Sequence, residues 1–128
     1  MKAEILICDD EEMVRELVAV VMEMEGHKVV TAANGEEALQ IINSQPERFG
    51  ILFTDHKMPG INGVELVAVL RTIGFAGRII VLSGRINDTD IAAYQEFRVD
   101  QIIRKPFDFS DLKKAVSGVS TRLPSSRP

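Results

Sequence analysis

The sequence is short of most features that narrow a protein's class at a glance. It has a single cysteine, Cys8, so no internal disulfide framework is possible. Cys8 lies in an apolar run and reads as a buried thiol in a reducing compartment. The charge carries no basic excess. Its formal net value is -4, and nothing suggests a nucleic-acid-binding surface. No stretch is apolar for long enough to span a membrane. Met1-Lys2-Ala3-Glu4 leads straight into a predicted strand and leaves no room for a signal peptide. Internal repeats and low-complexity tracts are lacking too. These absences predict a cytoplasmic protein without direct contact to nucleic acid or membrane.

What is present is the composition of an ordinary globular domain. The chain has 128 residues, 45% hydrophobic and 27% charged, enough for one domain with one sizeable core. Ile51-Leu52-Phe53 is a short apolar run that reads as a strand buried on both faces. It reaches a carboxylate at Asp55, and Met58-Pro59-Gly60 then breaks it. Proline removes a backbone donor and fixes φ, and glycine permits the tight turn. Asp55 therefore sits where a buried strand gives way to a loop. In open parallel α/β sheets that carboxyl-end rim is where ligands bind.

The other elements follow in the same rhythm. Glu4 to Cys8 is a first buried strand, and it runs into four acids, Asp9-Asp10-Glu11-Glu12. Acids favour a helix N-terminus, which accounts for Glu11 and Glu12. It accounts less well for Asp9, which follows directly on a buried strand. The helix after them carries Val14, Leu17, Val18 and Val21 at helical spacing and stops near Gly26. His27 to Thr31 reads as the second strand. Asn34 caps the next helix with Glu37 placed to close a capping box, and Ala38, Leu39, Ile41 and Ile42 form its buried face. Asn62 and Glu65 repeat the box for a third helix, with Val64, Val67, Leu70 and Ile73 toward the core. Arg78 to Leu82 is a fourth strand ending in Ser83-Gly84. Asn87 to about Phe97 is a helix thin in large apolar residues. Gln101 to Arg104 is a fifth strand, ended by Lys105-Pro106-Phe107. Ser110 opens the last helix, with Leu112, Ala115, Val116 and Val119 on one face. The tail from Thr121 is polar and expected to fray.

Five strands alternating with five helices predict an α/β fold: a doubly wound, flavodoxin-like parallel sheet in the order 2-1-3-4-5. In that fold the strand ends gather on one rim. The first strand delivers Asp9 and Asp10, the third Asp55, the fourth Ser83 and the fifth Lys105. Each alone has a structural role to play as a cap, a turn or a solvated strand end. Together they place three carboxylates, a hydroxyl and an ammonium at one edge. A carboxylate triad suits Mg2+, which prefers hard oxygen ligands. A carboxylate can attack phosphorus to form an acyl phosphate. The transferring phosphoryl needs its oxygens neutralised, which Mg2+, Lys105 and Ser83 can do.

On these motifs the chain resembles a response-regulator receiver domain, the phosphoacceptor of bacterial two-component signalling. The resemblance runs from about Lys2 to Val119, so 2–119 is read as the receiver domain and 120–128 as a polar tail or the start of a linker. It implies that Asp55 is the phosphorylated aspartate. It implies that Asp10 binds Mg2+ directly, Asp9 largely through water, and the Lys57 carbonyl as a further ligand. Ser83 and Lys105 then contact the phosphoryl group, and the Lys105-Pro106 bond is cis. The implied partners are a sensor histidine kinase or phosphotransfer protein and a downstream protein or output domain. The implied role is that of a signalling phosphoacceptor, not an enzyme acting on other substrates.

Two other readings stay open at this point. One is a module of the same fold that binds without phosphorylation, against which the intact acids and Lys105 argue. The other is a Mg2+-dependent phosphoester hydrolase, for which the sequence shows no cap domain or specificity insert. Flavin binding would need a Ser/Thr/Gly-rich loop after the first strand, and none is there. The chain also departs from its family. Ile102 stands where receivers usually carry an aromatic, three residues before the Lys-Pro pair. Arg98-Val99 replaces a common small pair. Lys57 and Arg85 add cations beside the site. Without the ring, the switch is expected to centre on the Ser83–Asp90 loop and the helix after it.

Overall fold

The structure, a computed structural model, describes residues 3–117. Five β-branched and aliphatic runs form strands: β1 (Glu4–Cys8), β2 (Lys28–Ala32), β3 (Ile51–Asp55), β4 (Arg78–Ser83) and β5 (Gln101–Arg104). They pair in parallel, in the order β2-β1-β3-β4-β5. Five helices connect them: α1 (Glu12–Met24), α2 (Gly35–Ser44), α3 (Gly63–Thr72), α4 (Asp88–Glu96) and α5 (Phe109–Val116). This is the doubly wound architecture that the alternation predicts.

Strand periodicity of two splits the core into two halves. Leu6, Cys8, Leu52, Ile79 and Val81 face one way, against Ala38 and Ile42 of α2, Leu66, Val67 and Leu70 of α3, and Tyr94 of α4. Ile5, Ile7, Phe53, Ile80, Leu82 and Ile103 face the other way, against Val18, Val21 and Met22 of α1 and Leu112 and Ala115 of α5. Every residue of β3 is buried, as a central strand covered on both faces must be. The same alternation carries past the strand ends and sorts the residues of the rim.

Local chemistry explains where the elements differ from expectation. β2 starts one residue late, at Lys28. The His27 amide closes the end of α1 on the Met22 carbonyl, and its ring Nδ1 lies 3.2 Å from the Ala3 carbonyl. On α1 the buried face is rotated toward Met22, leaving Leu17 39% exposed. On α3 Leu66 takes the core position expected of Ile73, which caps the helix and is 52% exposed. Asn34 does cap α2, accepting from the Glu37 amide at 2.8 Å. Glu37, however, reaches back to the Ala33 amide, not that of Asn34. The box at Asn62 and Glu65 is complete. The cap of α5 is Asp108, closed reciprocally by Asp111, and Ser110 lies inside the helix. Val119 and the tail from Thr121 lie outside the described residues. No helix among the described residues is long and apolar enough to cross a membrane.

Candidate functional site

Continuing each strand by its own alternation brings the expected residues to one end of the sheet. Asp9, Asp55 and Lys105 follow Ile7, Phe53 and Ile103 at two-residue spacing, so they share the α1/α5 side. Ser83 follows Val81 toward the opposite side. The Lys105 amide donates to the Ser83 carbonyl at 2.8 Å, extending the ladder by one step. The Lys105-Pro106 peptide is cis.

Three carboxylates crowd this rim. Oxygens of Asp9, Asp10 and Asp55 lie within 4.8 Å of one another. Like charges that close repel strongly when removed from water. Asp9 is fully buried. Its Oδ1 accepts from the Glu11 amide at 2.9 Å, while its Oδ2 is buried with no hydrogen-bond partner among the described residues. Burial pushes the Asp9 carboxyl up to about 6, with the Asp55 charge adding to the rise and the Glu11 amide opposing it. An unpartnered buried carboxylate oxygen beside two more carboxylates fits a cation, and the all-oxygen donor set fits a hard one.

Lys105 balances part of that charge. Its Nζ donates to Asp55 Oδ1 at 2.9 Å and lies 3.9 Å from Glu11 Oε1. Burial works against the ammonium, but the Asp55 hydrogen bond and the surrounding carboxylates outweigh it, holding its pKa above the ordinary lysine value. Ser83 is fully buried, and its hydroxyl donates to the Arg85 carbonyl at 3.0 Å. A cavity of about 370 Å³ opens over Asp55, walled by Asp10, Lys57, Ser83, Arg85 and Lys105. Lys57 and Arg85 are both exposed at its edge. Every site residue expected from the sequence thus lies at this one rim.

The family follows from comparison with known proteins. The model of the response regulator receiver domain matches residues 5–117. The chain belongs to that family. Receiver domains of this kind are signalling phosphoacceptors of two-component systems. Among its relatives is the sporulation initiation phosphotransferase F of Bacillus subtilis, 32% identical over 91% of this chain and 92% of the relative. Another is the alkaline phosphatase synthesis transcriptional regulatory protein SphR of Synechococcus elongatus, 31% identical over 86% of this chain and 46% of the relative. The chain spans about half the length of the first curated relatives it matches. A solved receiver domain protein from Clostridium thermocellum superposes with a TM-score of 0.81 at 30% identity, covering 89% of this chain and 90% of that one.

The receiver also holds a polar group that sequence reasoning missed. His56, next to Asp55, is buried and turns to the opposite side of the sheet. Its Nδ1 lies 2.6 Å from the Tyr94 hydroxyl and its Nε2 3.2 Å from Asp90 Oδ2. Tyr94 is fully buried in α4. Two signals were legible: a histidine directly after the candidate acceptor, and the only tyrosine of the chain. Their pairing was not, because it joins residues 38 positions apart.

Proposed function

We propose that Asp55 accepts a phosphoryl group from a phosphohistidine of a sensor kinase or phosphotransfer protein, or from a small acyl phosphate. The observation that carries this reading is the acidic cluster around Asp55 together with the Lys105 ammonium on its Oδ1. A carboxylate oxygen of Asp55 forms the new P–O bond. The P–N bond to the donor imidazole breaks, and the leaving nitrogen takes up a proton. Lys105 then moves its charge from the carboxylate to the phosphoryl oxygens, and the Ser83 hydroxyl exchanges the Arg85 carbonyl for one of them.

Asp9, Asp10, Asp55 and the Lys57 carbonyl would hold Mg2+. A bound Mg2+ supplies charge neutralisation to the incoming phosphoryl oxygens. The unpartnered Asp9 Oδ2 supports this assignment, since a cation is the partner it lacks.

The surface of α1 supports a protein donor. Met13, Leu17, Val20 and Met24 recur at helical spacing along one exposed stripe. The stripe starts three residues from Asp10, so a helix seated on it brings a histidine toward the rim. The receiver would occupy 2–119 in the cytoplasm, with 120–128 leading to an output domain or ending the chain. Output would pass to that domain or to a separate protein.

Incubation with acetyl phosphate and Mg2+ tests the reading. The wild type should gain one acid-labile phosphoryl group, and Asp55→Asn should gain none, because an amide is a poor nucleophile. Equal labelling of the two proteins would remove Asp55 from its assigned role.

A further inference from the structure

Helix α4 has one buried residue, Tyr94. The Tyr94 ring stands edge-on to the imidazole of His56, centroids 5.5 Å apart and planes at 69°. Its hydroxyl rests against Gly63, where any Cβ would collide with it. Tyr94 thus seats α4 in the apolar cluster on that face of the sheet and brings its hydroxyl to the residue after Asp55.

His56 is held at four points. Its amide donates to the Leu82 carbonyl at 2.9 Å, and its carbonyl accepts from the Gly63 amide at 2.8 Å. The ring nitrogens take the other two. As a carboxylate Asp90 can only accept, so Nε2 carries the proton, and in the neutral ring Nδ1 accepts from the Tyr94 hydroxyl. Burial raises the Tyr94 phenol well above its ordinary pKa, with the Asp90 and Asp55 charges adding, which keeps the hydroxyl a donor. The chain of bonds runs from the second turn of α4, through His56, to its first turn. Its backbone end is fixed to β4 and α3.

A second tether reaches the same helix. The Ser83 hydroxyl donates to Arg85, inside the short loop that enters α4 at its Asn87 cap. A phosphoryl group on Asp55 competes for that hydroxyl and loosens the loop. His56 then still holds α4 through Asp90 and Tyr94, while Arg71 holds its far end through the Phe97 carbonyl. Ile102 is half-buried against the same apolar cluster as Tyr94 and offers no polar atom to share in this.

We propose that His56 is a positioning residue that couples Asp55 to α4, its ring holding Asp90 and Tyr94 so that the state of the acceptor sets how firmly α4 is seated. The inference rests on the phosphoacceptor reading and adds the route by which the signal leaves the site. It places the switch on α4, through the contacts of His56 with Tyr94 and Asp90.

Hydrogen exchange with Mg2+ alone and with Mg2+ plus beryllofluoride tests it on the wild type, Tyr94→Phe and Asp90→Asn. Labelling by acetyl phosphate is measured in parallel. The full chain is used throughout. Tyr94→Phe keeps the ring and removes only the hydroxyl. Asp90→Asn changes a residue near the surface, so folding does not depend on both variants surviving. In the wild type the mimic should change exchange across 86–97 by about tenfold. Both variants should take up the phosphoryl label, yet their exchange should change by about threefold or less. The readout is the difference between two states, which a loss of stability alone would not remove. Labelled variants that respond like the wild type would overturn the coupling, as would a labelled wild type with a silent α4. Variants that take no label would also overturn it, by making these residues part of the acceptor chemistry. If the wild type itself takes no label, the phosphoacceptor reading fails first and the coupling fails with it.

Discussion

The two ends of the sheet solve opposite problems. At the amino end the half-buried Arg71 guanidinium is surrounded by acceptors. Arg71 donates to the carbonyls of Phe97, Phe75, Gly77 and Arg98 at 2.8 to 3.0 Å, tying the turn after α3 to the turn after α4. Asp100 accepts from the Ile79 amide beside it at 2.9 Å. At the carboxyl end three carboxylates lie together with one ammonium bonded to Asp55, and Asp9 Oδ2 is buried without a hydrogen-bond partner among the described residues. The first arrangement satisfies what it buries. The second holds like charges together. A fold tolerates such a site when the rest of the domain supplies the stability and the site supplies the chemistry.

The largest effect that would sharpen this contrast concerns access. Cys8 sits one residue before Asp9, buried, with its thiol 3.6 Å from the Met58 sulfur. Burial pushes the thiol up to about 12, and the charges of Asp9 and Asp55 add to the rise. At a given pH below the ordinary cysteine value of 9.0 it carries about a thousandfold less thiolate than an ordinary cysteine. The native protein should therefore resist a thiol reagent at pH 8 and react on unfolding in denaturant. Rapid labelling of the native state would mean that the charged end is open to water and not held under repulsion.

Next in size is the clamp. Arg71→Ala strands four carbonyls at the amino end, with a loss of about 3 kcal/mol expected from charged hydrogen bonds that are partly exposed. Denaturant titration should show the loss, while phosphoryl labelling of the folded variant stays near the wild-type rate. A variant as stable as the wild type would mean that the amino end is not the firmer of the two.

The smallest effect has the opposite sign. Asp9→Asn removes one of the clustered charges, so the metal-free protein should gain about 1 kcal/mol. The wild type should show the same physics through pH. The folded Asp9 carboxyl lies at about 6 against an ordinary 3.8, so its protonated form favours folding. That contribution is complete below the unfolded value and is lost as pH rises through about 6. Melting temperatures in chelator should fall over this window, and Mg2+ should reverse the fall by taking the place of the proton. A slope that Mg2+ leaves unchanged would count against a cation site at Asp9.

Much of this was legible in the sequence because strand ends carry their residues to known places. Once the five strands were read, period-two alternation and parallel order were enough to bring Asp9, Asp10, Asp55, Ser83 and Lys105 to one edge. Helix faces were less legible. Leu17 and Ile73 fit an apolar periodicity as well as Met22 and Leu66 do, and only packing chooses which stripe turns inward. Capping showed the same limit. Asp108 and Ser110 are both good cap residues, and the reciprocal bonds with Asp111 decide between them. The His56, Asp90 and Tyr94 group was hidden for a further reason. It depends on α4 crossing the end of β3, a contact between distant segments that no local pattern encodes. The thinness of α4 in apolar residues was read correctly, but its one buried ring was not seen as an anchor.

The most direct measurement maps the phosphoryl group itself. After treatment with acetyl phosphate and Mg2+, borohydride reduction converts an acyl phosphate on aspartate to homoserine, which mass spectrometry locates in the sequence. Homoserine at position 55, dependent on Mg2+ and lost when Lys105→Ala weakens the site, is the predicted result. Homoserine at position 9 or 10, or none at all in a folded protein, would contradict the account.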